Sequence, residues 1–147
     1  MSAAENKALV EKAFEAMAEA DPGPFIELFD DDMVWIITGQ NRFSGRFEGK
    51  DSINRDLAGP LFALFATPYR NRAERIIADE DGNVAVLAKG EVKTTSGHDY
   101  NNDYCFVLRM RGGKIVELRE YMDSALAERA LAGLEFAPPV TAPMSVK

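Results

Sequence analysis

Four runs of strand character follow one another with no helix between them: residues 69–79, 83–94, 98–111 and 114–123. Asp81-Gly82-Asn83 and Gly112-Gly113 are tight-turn signals between neighbours. Strands joined by tight turns pair antiparallel, so this half of the chain predicts a meander rather than a parallel sheet with crossover helices. Such a sheet needs its apolar face covered, and the first half of the chain has to supply the cover.

That half is mostly helical in period. Leu9, Val10, Ala13, Phe14 and Met17 recur at three and four, with Glu11, Lys12, Glu15 and Glu19 opposite, the pattern of an amphipathic helix. Asp21-Pro22 reads as an N-cap and a first-turn proline, opening a short helix through Phe25, Leu28 and Phe29. Met33-Val34-Trp35-Ile36-Ile37-Thr38 is β-branched and aromatic, stops at Gly39 and predicts a strand. The stretch from Phe43 to Gly49 has room for a very short strand or a loop. Asp51 is placed to cap a third helix with an apolar later part (Leu57, Leu61, Phe62, Leu64, Phe65), which Gly59-Pro60 should kink or break. After Asp123, read as an N-cap, Ala125, Leu126, Ala130 and Leu131 suggest a last short helix. The expected organisation is one α+β domain over residues 1–136 and an irregular tail, 137–147, with Pro138, Pro139 and Pro143.

The 147 residues carry 17 Lys and Arg against 24 Asp and Glu, a net charge of −7. That acidity argues against nucleic acid or an anionic membrane as partner, since phosphate binding rests on clustered cations. No run approaches the roughly 18 apolar residues of a membrane span. The N-terminal Met1-Ser2-Ala3-Ala4-Glu5 lacks the basic flank and apolar core of a signal peptide. One cysteine, Cys105, cannot form an internal disulfide, so a reducing cytoplasm is the expected location. With one histidine and one cysteine, an ordinary structural zinc site is not expected, and no motif calls for another metal, a nucleotide or a flavin.

Alternation within the strands assigns the faces. In 83–94, Val84, Val86, Ala88, Gly90, Val92 and Thr94 form the inward set. Tyr104, Phe106, Leu108 and Met110 form the heavier set of the next strand, and Val116, Leu118, Glu120 and Met122 that of the last. A three-residue loop, Arg111-Gly112-Gly113, would put both sets on one side, with Leu108 by Val116, Phe106 by Leu118 and Tyr104 opposite Glu120. A two- or four-residue loop would instead set Phe106 opposite Arg119. Glu120 is thereby a carboxyl on an apolar face, where burial raises the pKa toward that of a general acid or base working near neutrality. The competing reading is a Glu120 paired with a buried arginine or wet at a cavity rim.

These residues carry a resemblance. Gly97-His98-Asp99-Tyr100-Asn101-Asn102-Asp103-Tyr104, Gly113-Lys114-Ile115 and Arg119-Glu120-Tyr121-Met122-Asp123 resemble the SnoaL-like branch of the nuclear transport factor 2-like superfamily. So do Val34-Trp35, Gly39, Phe43-Ser44-Gly45 and Gly49-Lys50-Asp51; the likeness spans roughly residues 5–130. It implies a cone-shaped α+β barrel: a strongly curved, mostly antiparallel sheet around a deep pocket closed by the N-terminal helices, in a protein that commonly forms homodimers through its outer sheet face. The superfamily holds ketosteroid isomerases, limonene-epoxide hydrolases, polyketide cyclases and non-catalytic modules, so the fold does not name the reaction. A ketosteroid isomerase carries an aspartate base at the end of the first strand; here that place is Ile37-Thr38-Gly39. The arginine and second aspartate of an epoxide hydrolase would fall near Gly90 and Val92. The last-strand acid of the polyketide cyclase type falls on Glu120.

The resulting expectation is a small-molecule-binding protein, homodimeric, with an apolar pocket for a ring-containing or polyketide-like ligand. Whether it is an enzyme is left open by the residues; if so, the chemistry is cofactor-free acid/base work of cyclase or isomerase type, with Glu120 and Tyr104 catalytic. Trp35, Tyr100, Asn102, His98, Phe14, Phe106 and Met122 are the candidate substrate-binding residues. Each has a plain structural alternative: core packing for Trp35 and the phenylalanines, a solvated hairpin tip for His98, and a hydrogen-bonded strand end for Tyr100 and Asn102. Cys105 lies on the face opposite Tyr104 and has no cation beside it in sequence to activate it. The rival function is a non-catalytic binding or interaction module of the same fold.

Overall fold

A computed structural model describes residues 1–132 and 134 of the chain; the expected tail, 137–147, lies outside the described residues. Helix α1 spans Ala3–Ala18 and buries Val10, Ala13, Phe14 and Met17. It starts six residues ahead of the apolar stripe because Ser2 and Glu5 close a capping box, each side chain bonding the other's backbone N–H. Helix α2 (Gly23–Glu27) follows, with the Asp21 carboxylate accepting from the Gly23 N–H at 3.0 Å. It is shorter than expected, since Phe29 already opens β1 (Phe29–Ile37).

The short strand between glycines forms as β2 (Gly45–Glu48). Gly49, at φ +88°, then turns the chain into α3 (Lys50–Ser52), so Asp51 lies exposed inside the first turn and caps nothing. At Gly59-Pro60 the helical path does not break. It widens beforehand into a π-helical stretch, Ile53–Ala58, and continues as α4 (Gly59–Phe62). The wider turn moves the hydrogen-bonding ladder by a residue, which accommodates a proline that lacks an N–H to donate.

The meander forms as expected: β3 (Arg70–Ala78), β4 (Asn83–Glu91), β5 (Asp103–Arg111) and β6 (Lys114–Met122). The sheet order is β2-β1-β6-β5-β4-β3, antiparallel throughout except for β1 beside β6. The curved sheet is open, with β2 and β3 as its edges, and register shifts within β3/β4, β5/β6 and β1/β6 help bend it. A last helix, α5 (Ser124–Ala130), is capped by Asp123, whose carboxylate accepts from the N–H groups of Ala125 and Leu126.

The β5–β6 register corrects the sequence reading. Arg111 pairs with Lys114 across a two-residue turn, and Gly112 and Gly113 take the positive φ values, +57° and +79°, of a type I′ hairpin. Met110 faces Ile115, yet Arg109 faces Glu117, which leaves Val116 as the extra residue of a bulge. Leu108 therefore meets Leu118, Phe106 meets Glu120 and Tyr104 meets Met122, not the expected Leu108–Val116, Phe106–Leu118 and Tyr104–Glu120. The error is two residues, so side-chain parity survives: Leu118 and Glu120 point inward as expected. Ahead of the bulge parity reverses, and Ile115 is fully buried where Val116 had been expected to be.

Candidate functional site

Three layers of the fold enclose a cavity of about 370 Å³: α1 and α2, the helical path from Lys50 to Phe62, and the inner face of the sheet. Its walls are largely aromatic, with Phe14, Phe25, Phe29, Trp35, Phe43 and Phe106 among them. Exposed Ile26, Asn54 and Phe62 also stand on the wall and mark where the cavity meets solvent.

Glu120 is set into the apolar floor of this cavity. Its neighbours in the sheet are Ile37 on β1 and Phe106 on β5. Its backbone carbonyl is held by both the N–H and the hydroxyl of Thr38, at 3.1 and 2.8 Å. The side chain is 8% exposed and, among the described residues, pairs with no cation. Its hydrogen bond comes from the Trp35 indole, Nε1 to Oε1 at 3.1 Å. Burial raises the carboxyl pKa to about 7, partly opposed by the indole N–H, which favours the charged form. The buried-arginine alternative does not occur: Arg119, next in sequence, points to the other face and pairs with Glu117.

A second polar group of side chains lies on the same wall. The Tyr104 hydroxyl stands beside those of Tyr69 and Tyr100. Asn71 donates to the Tyr69 oxygen at 2.8 Å, and Asn102 to the Tyr100 oxygen at 3.2 Å. Burial pushes all three phenols above their ordinary pKa, so they are neutral hydrogen-bonding groups near pH 7. The Tyr104 ring stacks on Phe106 at 4.9 Å. Gly90 makes room for this group, since a Cβ there would stand 3.1 Å from Tyr104 Cε2 and 3.6 Å from the Tyr69 hydroxyl. An epoxide-hydrolase arginine at that place would meet the same rings.

Trp35, Tyr100, Tyr104, Phe14, Phe106, Met122 and Glu120 all stand on the cavity wall. Tyr104 is not the donor to Glu120, because the register places it one pair further along the strand; the indole takes that part. Asn102 is fully buried behind the wall and ties the strand to α5, accepting from the Asp123 N–H and donating to the Asp123 carbonyl. His98 is exposed in the β4–β5 connection, its backbone bonded to Thr94, and is not on the wall. The sequence reading did not single out Tyr69 and Asn71, although their i, i+2 spacing at the head of a strand puts them on one face. Lys50, half-buried on the wall, was also passed over as a site residue.

Among the described residues no group of His, Cys, Asp and Glu is arranged to hold a metal ion, and no helix is long and apolar enough to cross a membrane. No curated protein matches the chain in sequence. Solved structures do match in fold. An NTF2-like protein of unknown function from Burkholderia pseudomallei K96243 is 18% identical, with a TM-score of 0.73, over 87% of this chain and 98% of the other. A proposed isomerase from Bacillus subtilis is 23% identical, with a TM-score of 0.73, over 90% and 97%. A proposed SnoaL-like polyketide cyclase from Jannaschia sp. CCS1 is 19% identical, with a TM-score of 0.70, over 92% and 94%. At these identities the likeness establishes the fold alone. The family model of the SnoaL-like domain, however, matches residues 10–118, most of the chain. With the order of elements and the cone-like sheet around its cavity, that match makes this chain a member of the SnoaL-like family, within the NTF2-like superfamily.

Proposed function

We propose that the chain binds an apolar, ring-containing or polyketide-like molecule and moves a proton on the carbon next to one of its carbonyl groups, in a cyclisation or isomerisation. The observation that carries this reading is Glu120, a cation-free carboxyl on an aromatic cavity wall with a pKa of about 7. At neutral pH both of its forms are populated, which is what a group that first takes and then returns a proton requires. Trp35 occupies one carboxyl oxygen and leaves the other for the substrate. In the proposed step the charged Glu120 takes the proton of the C–H bond, and the electron pair moves to the carbonyl oxygen, giving an enolate. A neutral phenol, Tyr104 or Tyr100, steadies that oxygen by hydrogen bonding. The enolate carbon then takes back the proton from Glu120, in an isomerisation, or adds to a second carbonyl carbon of the same molecule, in a cyclisation. In the cyclisation the π pair of the second carbonyl moves to its oxygen, which takes the proton from Glu120. No step calls for a metal or cofactor. The names of the Jannaschia and Bacillus relatives are compatible with this chemistry.

The test is deuterium exchange next to the carbonyl for a panel of aromatic ketones in heavy water, with wild type and Glu120→Gln. Glutamine keeps the size and the contact with Trp35. Binding, read from the fluorescence of the chain's single tryptophan, should persist while exchange falls by about 10²–10⁴-fold. Undiminished exchange would exclude Glu120 as the proton carrier.

A non-catalytic binding module is the second reading. It is favoured by the end of β1, where Ile37 and Thr38 offer no second carboxyl. Quenching of Trp35 by ketones that show no exchange above background would select it. We also propose a homodimer through the outer sheet face, where Leu87, Cys105 and Tyr121 form one row and Leu87 and Tyr121 are exposed. Leu87→Glu should then lower the mass seen in sedimentation. A cytoplasmic location, proposed from the single cysteine, would show as a reduced Cys105 in protein isolated with thiols trapped.

A further inference from the structure

Two buried amides flank the phenols, and they differ. Asn102 uses both of its polar atoms, its oxygen accepting from the Asp123 N–H and its nitrogen donating to the Asp123 carbonyl and the Tyr100 hydroxyl. Asn71 uses one. Its nitrogen donates to the Tyr69 hydroxyl, while its Oδ1 is buried without a hydrogen-bond partner. Asn71 is 1% exposed and is one of the residues lining the cavity, so this acceptor is shut off from water in a side chain next to a space that a ligand can enter. Its neighbour across the sheet is Gly90, which puts no side chain against it. Asn6 also has an unpaired, buried Oδ1 but is not on this wall; the cavity is what makes the orphaned atom of Asn71 informative.

We infer that Asn71 is a specificity-determining residue that accepts a hydrogen bond from a hydroxyl on the ligand's ring, so that the ligand class is a hydroxylated ring compound, an enol or a phenol. The inference rests on the cavity being the ligand site. A buried acceptor discriminates strongly because the wrong ligand leaves it unpaired. An ether or ketone oxygen set against Oδ1 would bring two lone pairs together, and a plain hydrocarbon would leave the acceptor as it is. A hydroxyl donates to Oδ1 and keeps its own lone pairs for a neighbouring phenol.

The probes are 4-phenylphenol, 4-methoxybiphenyl and biphenyl, which share a two-ring body and differ in the group offered to Asn71. Binding is read by titration calorimetry and by Trp35 fluorescence. The phenol should bind wild type at least about tenfold more tightly than the ether or the hydrocarbon. Asn71→Leu should remove that preference, leave the affinity for biphenyl equal or higher, and leave the unliganded melting temperature unchanged or raised, since deleting an unpaired acceptor offsets the lost bond to Tyr69. A merely structural Asn71 would instead give a lowered melting temperature with the ligand preference intact. Asn71→Ala repeats the comparison if the leucine variant fails to fold. Equal affinities in wild type, preference for the ether, or a phenol preference that survives in both variants would overturn the inference while leaving the cavity reading in place. Binding of none of the three would overturn both.

Discussion

The cavity holds two kinds of polar site a few residues apart, and they are built on opposite principles. Around Glu120 the polar group is starved: an apolar floor, one indole N–H and no cation among the described residues. Around Tyr104 the polar groups support one another: three neighbouring phenols, two of them accepting from buried amides, with one acceptor left over. The starved group is therefore poised to change charge near neutrality, while the linked ones stay neutral and hold their positions. A proton carrier and an orienting frame ask for those two conditions respectively.

The largest test of that contrast is the pH dependence of stability. Glu120 has its pKa raised from 4.5 to about 7 in the folded chain. Between those values the folded state holds a proton that the unfolded state has lost, so stability falls as pH rises through this window. Below pH 4.5 both states are protonated and no penalty applies; above 7 the penalty is complete, on the order of 3 kcal/mol. Glu120→Gln removes the titration. In urea unfolding it should match wild type at pH 4 and exceed it by up to about 3 kcal/mol at pH 8. Parallel curves at both pH values would mean that Glu120 is not starved.

The linked side should respond to deletion in the opposite way. Asn102→Leu strands the backbone N–H and carbonyl of Asp123 and a bond to Tyr100. It should cost about 2 kcal/mol in urea unfolding at every pH. A pH-dependent loss would blur the contrast.

How far this was legible in the sequence follows the same division. Periodicity reports which face a residue takes, and Glu120, Leu118 and Phe106 were read inward correctly because parity depends on the count of residues modulo two. Register depends on the turn and on bulges. The two-residue turn moved the register by one, and Val116, an ordinary β-branched residue with nothing to mark it as the bulge, moved it by one more, which took Tyr104 away from Glu120. The capping of α5 by Asp123 was readable because it is local, and so was the presence of a tight turn at Gly112-Gly113, though not its two-residue length. The indole–carboxyl bond joins residues 85 positions apart on neighbouring parallel strands, and no local pattern encodes it. Gly59-Pro60 marked a real irregularity but not its form: the helical path continues, and the disruption is absorbed upstream, in the π-helical stretch that begins at Ile53.

Trp35→Phe isolates the one hydrogen bond that the Glu120 carboxyl receives among the described residues. The indole N–H favours the charged carboxylate, so its loss should raise the Glu120 pKa further, by about one unit or roughly 1.4 kcal/mol. Carbon-13 NMR of labelled glutamate side chains measures this directly. A pKa that falls would show that something else in the cavity supports the charge.

Gly90→Ala gives the smallest expected effect and the most local one. Gly90 sits in β4 with a backbone that any residue can adopt, and on strand entropy alone alanine would be favoured by roughly 0.5–1 kcal/mol. Against this, its Cβ would stand 3.1 Å from Tyr104 Cε2 and close to the Tyr69 hydroxyl. The Tyr104 ring is buried and stacked on Phe106, and its hydroxyl stands beside two other phenols, so it has little freedom to give way. The steric cost should win, for a net loss of about 1 kcal/mol, with the Glu120 titration unmoved because the strain falls on the other polar site. A more stable Gly90→Ala would mean that the phenols slide freely. The frame would then be no more rigid than the acid it is meant to serve.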